Sequence, residues 1–274
     1  MLRRLFLSLA TSLTFAGAAF AQAGDADALF DAVGLPEIVV VMGEEGMDYG
    51  ETIARDMFPS GMTPRWADHV ARIYDTDAMV AEMRAAFVAA LDGQDVTPML
   101  EFYRSDLGQR IVTLEVGARE AMLDPTLDAA AKAFAAEEAL AETPRFDLIT
   151  DFIAANDLIE ANVVGGLNSN YAFIDALVAG GATLPGVTAN DLLADVWAQE
   201  EEIRASTTEW LYAFLLLAYA PLSDAELVEL TTFSQTPDGR ALTAALFTAF
   251  DEMFMRVSRD LGTAASGFII SQDL

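Results

Sequence analysis

The sequence predicts an all-α protein, a tandem helical repeat of two similar multi-helix units, and three observations carry that expectation. Apolar residues recur at helical spacing along nearly the whole chain, with many Ala, Leu, Glu and Met and no polar/apolar alternation of strand length. Helix-starting residues stand ahead of these runs at Thr63-Pro64, at Asp124-Pro125 and at Ser223 with Glu226. The third observation is a motif written twice. Phe102-Tyr103-Arg104-Ser105-Asp106-Leu107-Gly108-Gln109-Arg110 returns at an offset of 131 residues as Phe233-Ser234-Gln235-Thr236-Pro237-Asp238-Gly239-Arg240. Without a gap, the same offset pairs Trp66 with Trp197, Leu91 with Leu222, Ala118 with Ala249 and Met122 with Met253, and gives nine identities in 57 positions. Those matches fall on Trp, Phe, Gly and the caps, which are the residues that fix turns and close contacts.

Taken in order, the chain opens with Met1-Leu2-Arg3-Arg4 and an apolar run to Phe20, with Ala19-Phe20-Ala21 as an A-x-A cleavage site. Residues 1–21 therefore read as a cleavable signal peptide, and the expected location is the periplasm or the exterior. The twin arginine at positions 3 and 4 leaves both export routes open. The first helical unit is expected over 22–142 and the second over 143–274, with Glu142-Thr143-Pro144 between them. Within the first unit, Asp25 to Val33 reads as a short helix. Glu37 to Met42 begins a second that Gly43 and Gly46 interrupt. Thr63-Pro64 opens a helix carrying Trp66, Val70 and Ile73, and Asp77 to Leu91 forms the next, with Met79, Met83, Ala86 and Ala90 on one face. Ser105 caps the helix after the motif, whose stripe is Ile111, Leu114, Ala118 and Met122. An Ala-rich helix then runs from Asp124-Pro125 to about Leu140.

The second unit repeats the plan. Gly165 to Tyr171 matches Gly43 to Tyr49 at an offset of 122, so the copy gains nine residues near Leu184-Pro185-Gly186. Trp210 to Ala220 is too short to span a bilayer and reads as a buried helix. The stripe after Gly239 is Leu242, Leu246, Ala249 and Met253, and the tail from Ser266 to Leu274 reads as frayed.

Composition removes whole classes of function. The formal charge is −28, a field that repels nucleic acid and anionic lipid surfaces. A hydrophobic content of 53% gives ample material for a core, so the charge does not imply disorder. There is no cysteine, hence no disulfide and no thiolate metal site. No insertion into the membrane is expected once the signal is cleaved.

Phe102, Tyr103, Arg104, Ser105, Gly108 and Gln109, following an apolar short helix, resemble the pattern of a family of secreted bacterial domains of unknown function, numbered 2059. The resemblance covers roughly residues 60–125 and, more faintly, 195–255. It implies export and a helical fold in tandem copies, and it implies no activity. The second copy departs at Ser234 and Gln235, keeping Phe233, Gly239 and the hydroxyl as Thr236.

Candidate chemistry is sparse. His69 is the sole histidine and reads as a partly exposed helix residue near Trp66; no nucleophile elbow accompanies it. No metal site and no cofactor are expected. The Glu44-Glu45, Glu137-Glu138 and Glu200-Glu201-Glu202 runs read as solvated helix faces. Trp66, Tyr103, Arg104 and Trp197 are the candidate binding residues. The Trp pair also fits a core role, and the Tyr103 hydroxyl is expected to satisfy a neighbouring carbonyl. Phe102, Ser105, Gly108, Phe233, Thr236 and Gly239 are the structural motif, with the two glycines set against a neighbouring helix of their own unit. The expected role is a non-catalytic envelope protein that binds a protein or small-molecule partner in a groove between helices. The alternative is a hydrolase using a carboxylate pair.

Overall fold

A computed structural model describes residues 24–182, 194 and 196–272. The signal stretch 1–21 and the insertion at Leu184-Pro185-Gly186 lie outside the described residues. Every regular element among the described residues is a helix, so the fold class is all-α. The helices are α1 (24–32), α2 (Leu35–Met57), α3 (Pro64–Ile73), α4 (Thr76–Ala90), α5 (Thr97–Arg104) and α6 (Asp106–Ala121). They continue as α7 (Pro125–Ala141), α8 (Pro144–Ala155), α9 (Leu158–Ala179), α10 (Glu200–Tyr219), α11 (Asp224–Ser234) and α12 (Pro237–Gln272).

Local chemistry places the helix starts. Thr63 accepts from the Trp66 N–H at 3.2 Å, Asp124 from Thr126 at 2.7 Å and Thr143 from Phe146 at 3.2 Å. Ser223 and Glu226 form a full capping box at the head of α11. Asp95 accepts from the Thr97 N–H at 3.0 Å, just ahead of α5.

The two motif turns have matching geometry. Ser105 donates to Phe102 O at 2.6 Å and accepts from the Gly108 N–H at 3.1 Å. Thr236 donates to Phe233 O at 2.7 Å and accepts from the Gly239 N–H at 3.0 Å. Each glycine lies against the end of the helix before it. A Cβ on Gly108 would stand 2.6 Å from Tyr103 Cα, and one on Gly239 2.7 Å from Ser234 Cα, in both cases closer still to a carbonyl oxygen. Phe102 and Phe233 then stack on each other, with centroids 4.0 Å apart and planes 7° apart, so the two turns meet in space.

Two expectations need correction. Helix α2 runs unbroken through Gly43, Gly46 and Gly50. These glycines face α3 and α4, and a Cβ at Gly46 would collide with the Tyr74 ring. They are kept for contact and do not break the helix, since tertiary packing outweighs the roughly 1 kcal/mol that Gly costs a helix. The C-terminal tail is also helical, to Gln272. Phe268 is buried there against Phe58 (centroids 5.5 Å) and Trp66 (5.2 Å), and Ser266 is buried as well. The aromatic anchor holds the last turns down.

The cores cross the 142/143 boundary. One joins Leu29, Phe30, Met83 and Phe87 to Leu242, Ala249 and Met253 of α12. Another joins Ile111 and Ala118 of α6 to Ile149, Leu211, Leu215 and Leu227. A third sets Trp66 and Val70 against Val257, Leu261 and Phe268. Helix α12 lies along α9 and against α4, while α10 packs on α6, α7 and α9.

Candidate functional site

Where these helices converge, the packing leaves a cavity of about 250 Å³ beside the stacked Phe102–Phe233 pair. Its walls come from the α1–α2 turn and from α2, α5, α6, α8, α9, α10, α11 and α12. Phe152, Trp210, Phe214, Leu215, Leu246 and Phe250 supply apolar surface. Tyr103, Glu115, Arg119 and Tyr219 form one polar cluster in its wall, and Asn156, Asn162, Ser234 and Thr243 also line it.

Glu115 is the chemically distinctive group. It projects from the middle of α6, among the residues of the apolar stripe, half-buried and in the wall of the cavity. The Tyr219 hydroxyl, itself buried, donates to Glu115 Oε1 at 2.5 Å. Loss of water pushes the Glu115 carboxyl up to about 7, and the Tyr219 hydrogen bond opposes this only in part. Both tyrosines are pushed up, first by burial and then by the neighbouring carboxylate. Arg119, one turn beyond Glu115 on α6, is directed elsewhere. Its guanidinium grips Glu45 of α2 with two bonds, at 3.1 and 2.6 Å, and lies 5.3 Å over the Trp210 ring. Glu115 has no cation beside it among the described ion pairs.

A second cavity of about 450 Å³ adjoins the first, sharing Asn162, Phe247 and Phe250 as wall. It runs between α2 and α4 on one side and α9 and α12 on the other. Glu45, Tyr49, Tyr74 and Asp251 face it. Burial raises the Asp251 carboxyl, and Gly165 on α9 leaves room for it: a Cβ there would be 2.7 Å from its carboxylate oxygen.

The residues singled out in the sequence fall in different places. Tyr103 reaches the first cavity, where its hydroxyl faces the Glu115 side and bonds no carbonyl among the described residues. Phe233 and Gly239 also line that wall. Arg104 is exposed on the outer side of α5. Trp66 lies in the core with its indole N–H donating to Gly50 O at 2.7 Å, and it lines neither cavity. Trp197 is 63% exposed. His69 is half-buried edge-on to Phe268, and its imidazole is lowered by burial and then by Arg72 and Arg65. The acidic runs do not converge: Glu45 holds Arg119, Glu138 accepts from Thr143 and Glu200 from Arg204. Among the described residues no group of three or more His, Asp or Glu could hold a metal ion.

Sequence reasoning passed over Glu115, Arg119 and Tyr219. The available signal for the first was an acid inside an apolar stripe, four residues after Ile111 and three before Ala118.

Residues 77–137 match the family model described as "Uncharacterized protein conserved in bacteria (DUF2059)". The matched stretch is single and contains Tyr103, Glu115 and Arg119. No curated protein matches, and no solved structure matches. Among the described residues no helix is long and apolar enough to cross a membrane.

Proposed function

We propose that the protein is a non-catalytic binder that takes a small amphiphile into the cavity beside Phe102 and Phe233. The observation that carries this reading is a largely apolar wall that holds the Glu115–Tyr219 hydrogen-bonded pair, with Tyr103 beside it. Its apolar walls would exclude water from a tail, while Glu115, Tyr219 and Tyr103 offer hydrogen bonds to a head. The adjoining 450 Å³ space gives a longer chain somewhere to continue. On the tandem reading of the sequence, the offset of 131 carries Glu115 to Leu246, Arg119 to Phe250 and Tyr103 to Ser234, all of them wall residues. The first copy thus supplies the two charged residues of the wall, and the second has apolar residues at the matching positions. The arginine pair and Ala19-Phe20-Ala21 at the start of the chain support a place of work outside the cytoplasm.

The test is titration of the full chain with N-phenyl-1-naphthylamine, a small apolar fluorophore. Saturable binding is expected, and Leu246→Trp, which fills the cavity, should abolish it without unfolding the protein. Absence of saturation, or equal binding by the filled variant, would remove this reading.

A further inference from the structure

We propose that the polar cluster in this cavity's wall receives a protonated amine, so that the ligand is a cationic amphiphile and not a fatty acid. The proposal rests on the binding reading above and concerns the head group alone.

Two charged side chains line the cavity, and their situations differ. Arg119 is satisfied: Glu45 takes two of its guanidinium bonds and the Trp210 ring lies beneath it. Glu115 has one neutral donor, Tyr219, and no counter-charge, although Arg119 follows it by four residues on the same helix face. A carboxylate taken out of water without a cation is costly, and the cavity is where the missing cation can come from. An ammonium group there would donate to the Glu115 carboxylate and to the open Tyr103 oxygen. Trp210 and Phe214, stacked at 5.0 Å with planes 6° apart, add aromatic surface that favours cations. A carboxylate ligand would meet Glu115 with like charge and would have to draw Arg119 away from Glu45. An alcohol would gain hydrogen bonds but no charge pairing.

The experiment is calorimetric titration of the full chain near neutral pH with dodecylamine, dodecan-1-ol and dodecanoate, the two ionic ligands below their micelle concentrations and the alcohol below its solubility limit. Dodecylamine should bind about tenfold tighter than the alcohol, with dodecanoate weakest. Glu115→Gln keeps an acceptor for Tyr219 but removes the charge, and it should bring the amine down to the affinity of the alcohol while leaving the alcohol unchanged. Because the chain is strongly acidic, amine binding that survives Leu246→Trp is surface attraction and overturns the proposal. So does dodecanoate binding as tightly as the amine, or a preference untouched by Glu115→Gln. Equal binding of amine and alcohol overturns the head-group assignment and leaves the cavity reading standing. If none of the three binds, the cavity reading falls with it.

Discussion

Glu115 makes the protein's stability depend on pH in an unusual direction. Most carboxylates that matter to a fold are stabilised in their charged form, so acid harms them. Here burial favours the proton. The ordinary carboxyl titrates at 4.5 and this one at about 7. Below 4.5 both folded and unfolded chains hold the proton. Between the two values only the folded chain holds it, so stability falls as pH rises through that window. The whole shift is worth on the order of 3 kcal/mol. Glu115→Gln should therefore melt close to the wild type near pH 5 and clearly above it near pH 8. Thermal melts at both pH values check this, and parallel behaviour at the two would rule it out. The same residue shows how far a sequence exposes a site. Glu115 sits in register with Ile111 and Ala118, so its inward direction was readable, but its lack of a counterion depends on where Arg119 turns. That choice is made by Glu45 on another helix, and no local pattern encodes it. Trp66 and Trp197 teach the complementary point, since one residue type at matched positions ends at 0% and 63% exposure.

Helix boundaries were far more legible, because capping is local chemistry: Ser105, Asp124, Thr143, Ser223 and Thr236 all accept bonds from the next turn. Glycines were the ambiguous letters. At Gly43 and Gly46 a breaker and a close contact look the same in one dimension, and only the neighbouring Thr76 and Tyr74 distinguish them. Helix α6 allows a test with opposite signs on one element. At Gly108 an added methyl would press on the backbone of α5, which cannot swing aside as a side chain can. Gly108→Ala should cost about 1–3 kcal/mol, with Gly108→Leu worse. At Gly117, exposed on the same helix, an added Cβ meets nothing within 4 Å. Gly117→Ala should add about 0.5–1 kcal/mol through helix propensity alone. Denaturant melts of the two variants should move to opposite sides of the wild type; a shared direction would contradict the close-packing account.

On the scale of the molecule, the two stretches of sequence are interleaved. The core of α1, α2, α4 and α5 is closed by α12, and that of α8, α10 and α11 by α6 and α7. If α6 and α12 are counterparts, as the repeated motif suggests, the helix after each motif serves the other unit's core. Periodicity could not reveal this, because an apolar stripe states that a helix has a partner and not which one. Residues 24–142 produced alone would thus lack Leu242, Ala249 and Met253 and should show little helix and no cooperative melt by circular dichroism. A stable, cooperatively melting fragment would show instead that the halves are self-sufficient.

The long final helix also sets a schedule. A chain is made from its N-terminus, and domains generally close as they emerge. This one cannot. The cores around Phe30 and around Trp66 both wait for residues of α12, which comes last in chain order among the described helices. Through most of its manufacture the chain keeps two apolar faces unsealed, and the final segment shuts both in one event. A stop codon near the start of α12 would for that reason leave both cores open.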